Sequence, residues 1–300
     1  MPNYPTATDI FRSVLVLNIM LFDSHAHINF ESFENIWKEV LDDCQKNDIW
    51  VVNIGSQFPT SKRAVEIAEE YEKGVYASIG VHPIHSHEQE NAFDYKKFVD
   101  LITVGAGLVP AQDSGDHKGR PYNTNKIVAI GETGLDFFHS AKYFEIQKKT
   151  FIEQINLAKE FDLSLIIHGR NSKDGAINCY QEIYKIIKKE KVKNAVVHCF
   201  GGNADEAKQF MGLGLYIGVT GIVTFKNAKE LQSMVRDVIP LEKILIETDS
   251  PYLAPDPHRG EQNKPQYVEY VARKIAELKN ISYEKACEVL CANARKFYNV

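Results

Sequence analysis

Met20-Leu21-Phe22-Asp23-Ser24-His25-Ala26-His27 runs from an apolar stretch straight into a His-x-His pair. The same progression, a short Val- and Ile-rich run ended by a metal-ligand side chain, recurs along the chain. Glu132 follows Ile127-Val128-Ala129-Ile130-Gly131, and Asp249 follows Ile244-Leu245-Ile246-Glu247-Thr248. His168 ends Leu163-Ser164-Leu165-Ile166-Ile167, and His198 ends Ala195-Val196-Val197. Short apolar runs bounded by polar residues read as buried parallel strands. In an α/β barrel the carboxyl ends of all strands meet at one face, so residues remote in sequence converge there. The pattern points to a metal-dependent hydrolase.

Strand-like runs lie near 21–25, 50–54, 75–79, 127–131, 163–168, 195–199, 214–219 and 244–248, with helical patterns between them. Eight such alternations make an α/β fold of the (β/α)8, TIM-barrel type. Helices near 266–278 and 283–297 are expected to finish the outer ring. A length of 300 residues suits one such domain, assigned to 20–300. Residues 104–126, rich in Gly, Pro, Asp and Asn, carry neither periodicity and read as a loop insertion at the amino-terminal face, away from chemistry. Residues 1–19 read as an upstream extension with Met20 as the alternative start. Mass spectrometry of the native amino terminus distinguishes the two starts.

A net charge of −5 argues against a broad basic coat for duplex DNA, though not against local phosphate contacts. Five scattered cysteines without a C-x-x-C pair read as reduced thiols of a cytoplasmic protein. Cys199 is expected to point away from His198, into the core, by strand alternation. The apolar stretch 14–22 is too short to span a bilayer and lacks a basic flank, so neither membrane insertion nor export is expected.

His25 and His27, two apart on a strand, face one side and suit one divalent ion. Glu132 offers two oxygens and is the natural bridge to a second ion, completed by His168 and His198. Asp249 is placed to bind the first ion and to take a proton from an attacking water. Two ions together suit hydrolysis of a phosphodiester or another phosphoryl or acyl bond. Taken singly, each residue is as well explained as a satisfied buried polar group. The weight lies in six of them recurring at strand ends.

Ordered motifs carry a resemblance as well: Phe22-Asp23-Ser24-His25-Ala26-His27, Gly80-Val81-His82-Pro83, Gly131-Glu132-Thr133-Gly134-Leu135-Asp136, Ile167-His168-Gly169-Arg170 and His198-Cys199-Phe200. Gly221-Ile222-Val223-Thr224-Phe225 and the long Glu247-Thr248-Asp249-Ser250-Pro251-Tyr252-Leu253-Ala254-Pro255 follow. From about residue 20 onward, outside 104–126, the chain resembles the TatD family of metal-dependent deoxyribonucleases within the amidohydrolase superfamily. The resemblance implies a single-domain amidohydrolase-like barrel with His25, His27, Glu132, His168, His198 and Asp249 as ligands of two divalent ions. Asp249 doubles as general base, and His82 lines the site near the scissile phosphate or else packs beside it. Arg259 and Asn263 approach the nucleic-acid backbone, unless Arg259 is a surface residue paired with Glu261. In Phe137-Phe138-His139, where relatives often carry a basic residue, His139 is either a pH-dependent phosphate contact or merely exposed.

The implied activity is 3′-to-5′ removal of nucleotides from the end of single-stranded DNA by a monomer. Hydrolysis of an ester such as D-aminoacyl-tRNA is the alternative the resemblance also allows. A barrel without catalysis, acting as a scaffold, is the third reading. Mixed His and carboxylate ligation admits Zn²⁺, Mn²⁺ or Mg²⁺.

Overall fold

The computed structural model describes residues 19–89, 92–105, 126–138 and 141–300. The extension before residue 19, most of the 104–126 insertion and His139 lie outside the described residues. The chain alternates strand and helix: β1 (Leu21–Ala26), α1 (Trp37–Lys46), β2 (Ile49–Ile54), α2 (Phe58–Glu69), β3 (Val75–Ile79) and α3 (Tyr95–Gly105). Then come β4 (Ile127–Asp136), α4 (Phe144–Glu160), β5 (Ser164–Arg170), α5 (Cys179–Lys189), β6 (Ala195–Val197) and α6 (Ala204–Gly212). β7 (Tyr216–Val219), α7 (Lys229–Asp237), β8 (Ile244–Ile246), α8 (Val268–Lys279) and α9 (Tyr283–Tyr298) complete it.

All eight strands run parallel in sequence order, each hydrogen-bonded to the next. The seam between β8 and β1 is closed by the segment just past β8. The Asp249 amide donates to the His25 carbonyl, and the His27 amide to the Ser250 carbonyl, both at 2.8 Å. A barrel therefore forms, as the alternation of short apolar runs with amphipathic helices requires.

Strand residues alternate between two apolar layers. Leu21, Val51, Ala77, Ile130, Leu165, Ile167 and Ile217 face the helices. Phe22, Val52, Ile54, Tyr76, Val128, Ile166, Val196, Tyr216 and Leu245 fill the barrel interior. The interior core thus occupies the amino-terminal half and leaves the carboxyl ends for polar groups.

Two expectations change here. α9 does not simply join the outer ring: Phe297 and Tyr298, in its last turn, pack against Tyr216 and Phe22 and close the bottom of the barrel. The Tyr298 hydroxyl donates to the Ser24 carbonyl at 2.7 Å, satisfying the one polar group it carries into that core. β4, in turn, does not stop at Gly131 but continues to Asp136. Gly131 and Gly134 adopt φ of 140° and 143°, and the pairing with β5 shifts register between Ile130 and Thr133. A side chain at Gly134 would collide with the His168 carbonyl. This bulge looks in sequence like a strand end, and it re-aims the residues that follow.

Candidate metal centre

The expected ligands come from five strands on the carboxyl-end side: His25 and His27 at the end of β1, Glu132 within β4 beside its bulge, His168 near the end of β5, His198 after β6 and Asp249 after β8. All of them except the fully buried His25 line a cavity of about 350 Å³ together with His82, Asp136, Arg170 and Tyr252. A wider hollow of about 940 Å³ opens beside Cys199 between α6 and α7 and contains none of these ligands.

Glu132 divides its carboxylate between two groups of imidazoles. Its Oε2 lies 3.5 Å from His25 Nε2 and 3.8 Å from His27 Nε2. Asp249 Oδ1 lies 3.7 Å and 3.4 Å from the same two nitrogens, which are themselves 3.2 Å apart. Four atoms held tetrahedrally at zinc bond lengths of about 2.0–2.1 Å would lie about 3.3 Å from one another. These separations, 3.2 to 3.8 Å, are too long for good hydrogen bonds in most pairs and close to what a shared cation requires. The residues fit a divalent ion.

Glu132 Oε1 faces the other set. His168 Nδ1 lies 2.7 Å away, and the Nε2 atoms of His198 and His82 each lie 3.4 Å away. Metal-binding histidines are commonly oriented by a partner on the second ring nitrogen. His168 Nε2 meets Asp136 Oδ2 at 3.0 Å, His198 Nδ1 faces Glu247 Oε1 at 3.2 Å, and His27 Nδ1 meets the Ile54 carbonyl at 3.1 Å. Each pairing turns the remaining nitrogen toward Glu132. The His25 and His198 rings stack at 3.7 Å, so the two groups form one cluster.

His82 differs from the other histidines. Its Nδ1 accepts the Ile84 amide at 3.2 Å, which assigns the proton of the neutral ring to Nε2. Burial and the neighbouring His168 charge push its pKa down to about 4, so it stays neutral near pH 7. His82 thus presents an N–H to the centre, the posture of a hydrogen-bond donor rather than of a ligand.

The electrostatics call for positive charge. Burial would pull His168 and His198 down, but Asp136 and Glu132 raise the first to about 9, and Glu247 with Glu132 raises the second to about 10. Burial works against ionisation of Glu132, yet the His82, His198 and His168 contacts hold it well below the usual carboxylate range. Asp249 is lowered too: burial is outweighed by its bond to His27 and the charges of His198 and His25. Glu132, Asp136, Glu247 and Asp249 so crowd four carboxylates into one cluster, which cations would neutralise.

Asp249 adopts a left-handed φ of 58°, a conformation Asp tolerates better than most residues. That turn swings its side chain over β1. Asn263, expected to touch phosphate, holds the turn from behind. It is fully buried, its Nδ2 donates to the Thr248 and Tyr252 carbonyls, and its Oδ1 accepts the Lys264 amide. With its amide consumed, it has nothing left to offer a ligand. Arg259 is exposed, its guanidinium 3.6 Å from the Phe225 ring centre. Glu261 pairs with His258 instead of Arg259. Cys199 also departs from expectation, because it lies beyond β6 with φ 43°, where alternation no longer applies. It sits half-buried beside His198 and Asp249.

Sequence reading assigned no role to Asp23, Asp136 or Glu247. Each is an acid within or ending an apolar run, a costly placement unless something pairs with it. That cost was the available signal. Gly218 makes room for Glu247, since a side chain there would overlap its carboxylate.

Comparison with known proteins places the chain among metal-dependent hydrolases. The sequence model of the family described as TatD related DNase matches residues 22–299. The chain is 36% identical over 284 residues to "Uncharacterized metal-dependent hydrolase YabD" of Bacillus subtilis, covering 94% of this chain and 100% of the relative. It is 30% identical over 288 residues to the Escherichia coli hydrolase YcfH, which carries the same description, covering 94% and 97%. Among solved structures, the TatD homologue YJJV of Escherichia coli superposes with a TM-score of 0.78 at 25% identity, covering 95% of this chain and 100% of that one.

Proposed function

Because the chain belongs to the TatD family of metal-dependent hydrolases, we propose that it is a deoxyribonuclease that removes nucleotides from the 3′ end of single-stranded DNA with two divalent ions. The observation that carries this reading is the divided carboxylate of Glu132, one oxygen toward His25 and His27 and the other toward His168 and His198. Divalent ions held by His25, His27, Glu132, His168, His198 and Asp249 would supply the positive charge that stabilises the attacking and leaving oxygens of a displacement at phosphorus.

The side chains divide the remaining work. Asp249, the most exposed of the four carboxylates at 15%, stands at the solvent side of the cluster. It is kept ionised and so is fitted to accept a proton from the attacking water. His82 Nε2–H is aimed to donate to a non-bridging phosphoryl oxygen, a role that needs the neutral ring its burial enforces. Asp136 and Glu247 hold the two histidines in register. Tyr252, 55% exposed beside Asp249, offers a ring face on which a terminal base can stack without sequence preference.

The test is a time course on end-labelled single-stranded DNA, with metal-stripped protein reloaded with Mg²⁺, Mn²⁺ or Zn²⁺, and with Asp249→Asn in parallel. Stepwise shortening that requires metal and drops at least about 100-fold in the variant is expected. Folded, metal-loaded protein that leaves DNA intact but deacylates D-aminoacyl-tRNA would move the assignment to ester hydrolysis. No turnover on either substrate would favour the scaffold reading.

A further inference from the structure

Six arginines lie among the described residues, and four of them are engaged by the protein itself. Arg63 meets Glu66, Arg236 meets Asp237, Arg273 meets Glu269, and Arg295 donates to the Val300 carbonyl. Arg170 and Arg259 differ: among the described residues neither guanidinium has a carboxylate or hydrogen-bond partner. Each instead lies over the face of one aromatic ring, the Arg170 guanidinium carbon 3.5 Å from the Phe138 ring centre and that of Arg259 3.6 Å from the Phe225 ring centre. Every other described cation–ring contact is 4.2 Å or longer. Among the described residues, the two closest stacks therefore belong to the two arginines without a carboxylate or hydrogen-bond partner.

Their positions repeat one design. Phe138 follows β4 and receives its arginine from the end of β5, whereas Phe225 follows β7 and receives its arginine from the segment after β8. The two pairs stand three strands apart round the ring, both at the carboxyl ends. Arg170 is two residues beyond His168 on β5, so strand alternation turns it to the same side. It lines the same cavity as His168 and Asp136. Asp136 is committed to His168 and to the Phe138 amide and makes no ion pair with Arg170.

Stacking fixes the plane of a guanidinium without using any of its five N–H donors. An arginine held in this way loses little freedom on binding and presents a ready fork for phosphate oxygens. We infer that Arg170, laid on Phe138, is a substrate-binding residue that grips a phosphate beside the metal centre, with Arg259 on Phe225 as its counterpart across the mouth. The preferred ligand then carries at least two phosphates, as a nucleic-acid strand does and a single ester does not. This inference rests on the nuclease reading and adds a specific anchor to it.

The probe is a fluorescein-labelled single-stranded phosphorothioate oligonucleotide, followed by anisotropy with Mn²⁺-loaded protein from low to moderate salt. Arg170→Gln should weaken binding at least fivefold at low salt and flatten the log–log salt dependence by about 0.7, the contribution of one single-strand phosphate. Arg170→Lys keeps the charge and should recover most of the slope but not the affinity. Phe138→Leu keeps the arginine and should weaken binding by a smaller factor. Arg273→Gln, remote and paired with Glu269 in the native protein, serves as the unchanged control. Wild-type affinity and slope in a folded Arg170→Gln protein overturn the inference while leaving the nuclease reading in place. Failure of the wild type to bind or shorten any oligonucleotide sinks the nuclease reading, and this inference with it.

Discussion

Thr248 donates both its backbone amide and its hydroxyl to the Asp23 carboxylate, at 2.8 Å and 2.5 Å. Asp23 is fully buried and also accepts the His25 amide at 3.3 Å. One side chain therefore ties the ligand-bearing end of β1 to the ligand-bearing turn after β8. Although it touches no substrate, it sets the distance from His25 and His27 to Asp249.

Asp23→Ala leaves those donors without an acceptor in a place water does not reach. A loss of about 2–5 kcal/mol in unfolding free energy is expected, since each stranded buried donor costs about 1–3 kcal/mol. Urea denaturation measures it, and metal analysis should show weaker retention. A variant as stable as the parent would mean that the seam is held by its backbone bonds alone.

Glu132→Gln removes the charge that the two groups of imidazoles share. Metal analysis after dialysis is expected to show at least one ion fewer per chain than the parent, with hydrolysis down at least about 100-fold. Unchanged metal content would show that Glu132 does not bridge.

Glu247→Gln tests orientation rather than ligation. Its carboxylate faces His198 Nδ1 and accepts the Cys199 amide. Losses of about 10- to 100-fold in metal affinity are usual when such a partner is removed. Titration with a competing chelator should find a drop in that range at near-parental thermal stability.

Metal-stripped protein should be most stable near pH 6.5, where an unfolded histidine titrates. His25 and His82 are lowered by burial, so below that pH the unfolded chain binds more protons and stability rises as pH climbs. His168 and His198 are raised to about 9 and about 10, so above it the folded chain holds the extra protons. Their stabilisation is complete below about 6.5 and disappears as pH passes through 9 to 10. In metal-loaded protein the ions replace those protons, and the alkaline decline should vanish. Thermal unfolding across pH 4 to 10, with and without metal, shows whether the two curves separate above neutrality.

Asn263→Ala should cost about 1–3 kcal/mol through the loss of its buried amide bonds and slow hydrolysis. The salt dependence of oligonucleotide binding should stay unaltered. A flattened salt slope would return Asn263 to phosphate contact.

The barrel and the gathering of the six expected ligand residues at its mouth were legible in the sequence because both rest on local chemistry. Ile244-Leu245-Ile246 and Ala195-Val196-Val197 are apolar enough to be buried strands wherever they pair, and a ligand at the end of each has one face to reach. His25 and His27 follow from a period of two. The turn of Asp249, the bulge at Gly131 and Gly134 and the position of α9 were not legible. Each depends on which distant backbone comes alongside, and no local pattern encodes that.

The same division holds for individual side chains. Sequence alone determined that this chain builds a parallel barrel carrying His25, His27, Glu132, His168, His198 and Asp249 at its strand ends, since strand period and apolar runs act over a few residues. Tertiary structure decided the parts played by the residues around that set: His82 presents a donor because the Ile84 amide claimed Nδ1, and Asn263 is a brace because Thr248 and Tyr252 claimed its amide. Arg170 was left open to a ligand because Asp136 had already bonded His168. A polar side chain has few donors and acceptors, and which partner takes them is settled only when the strands close.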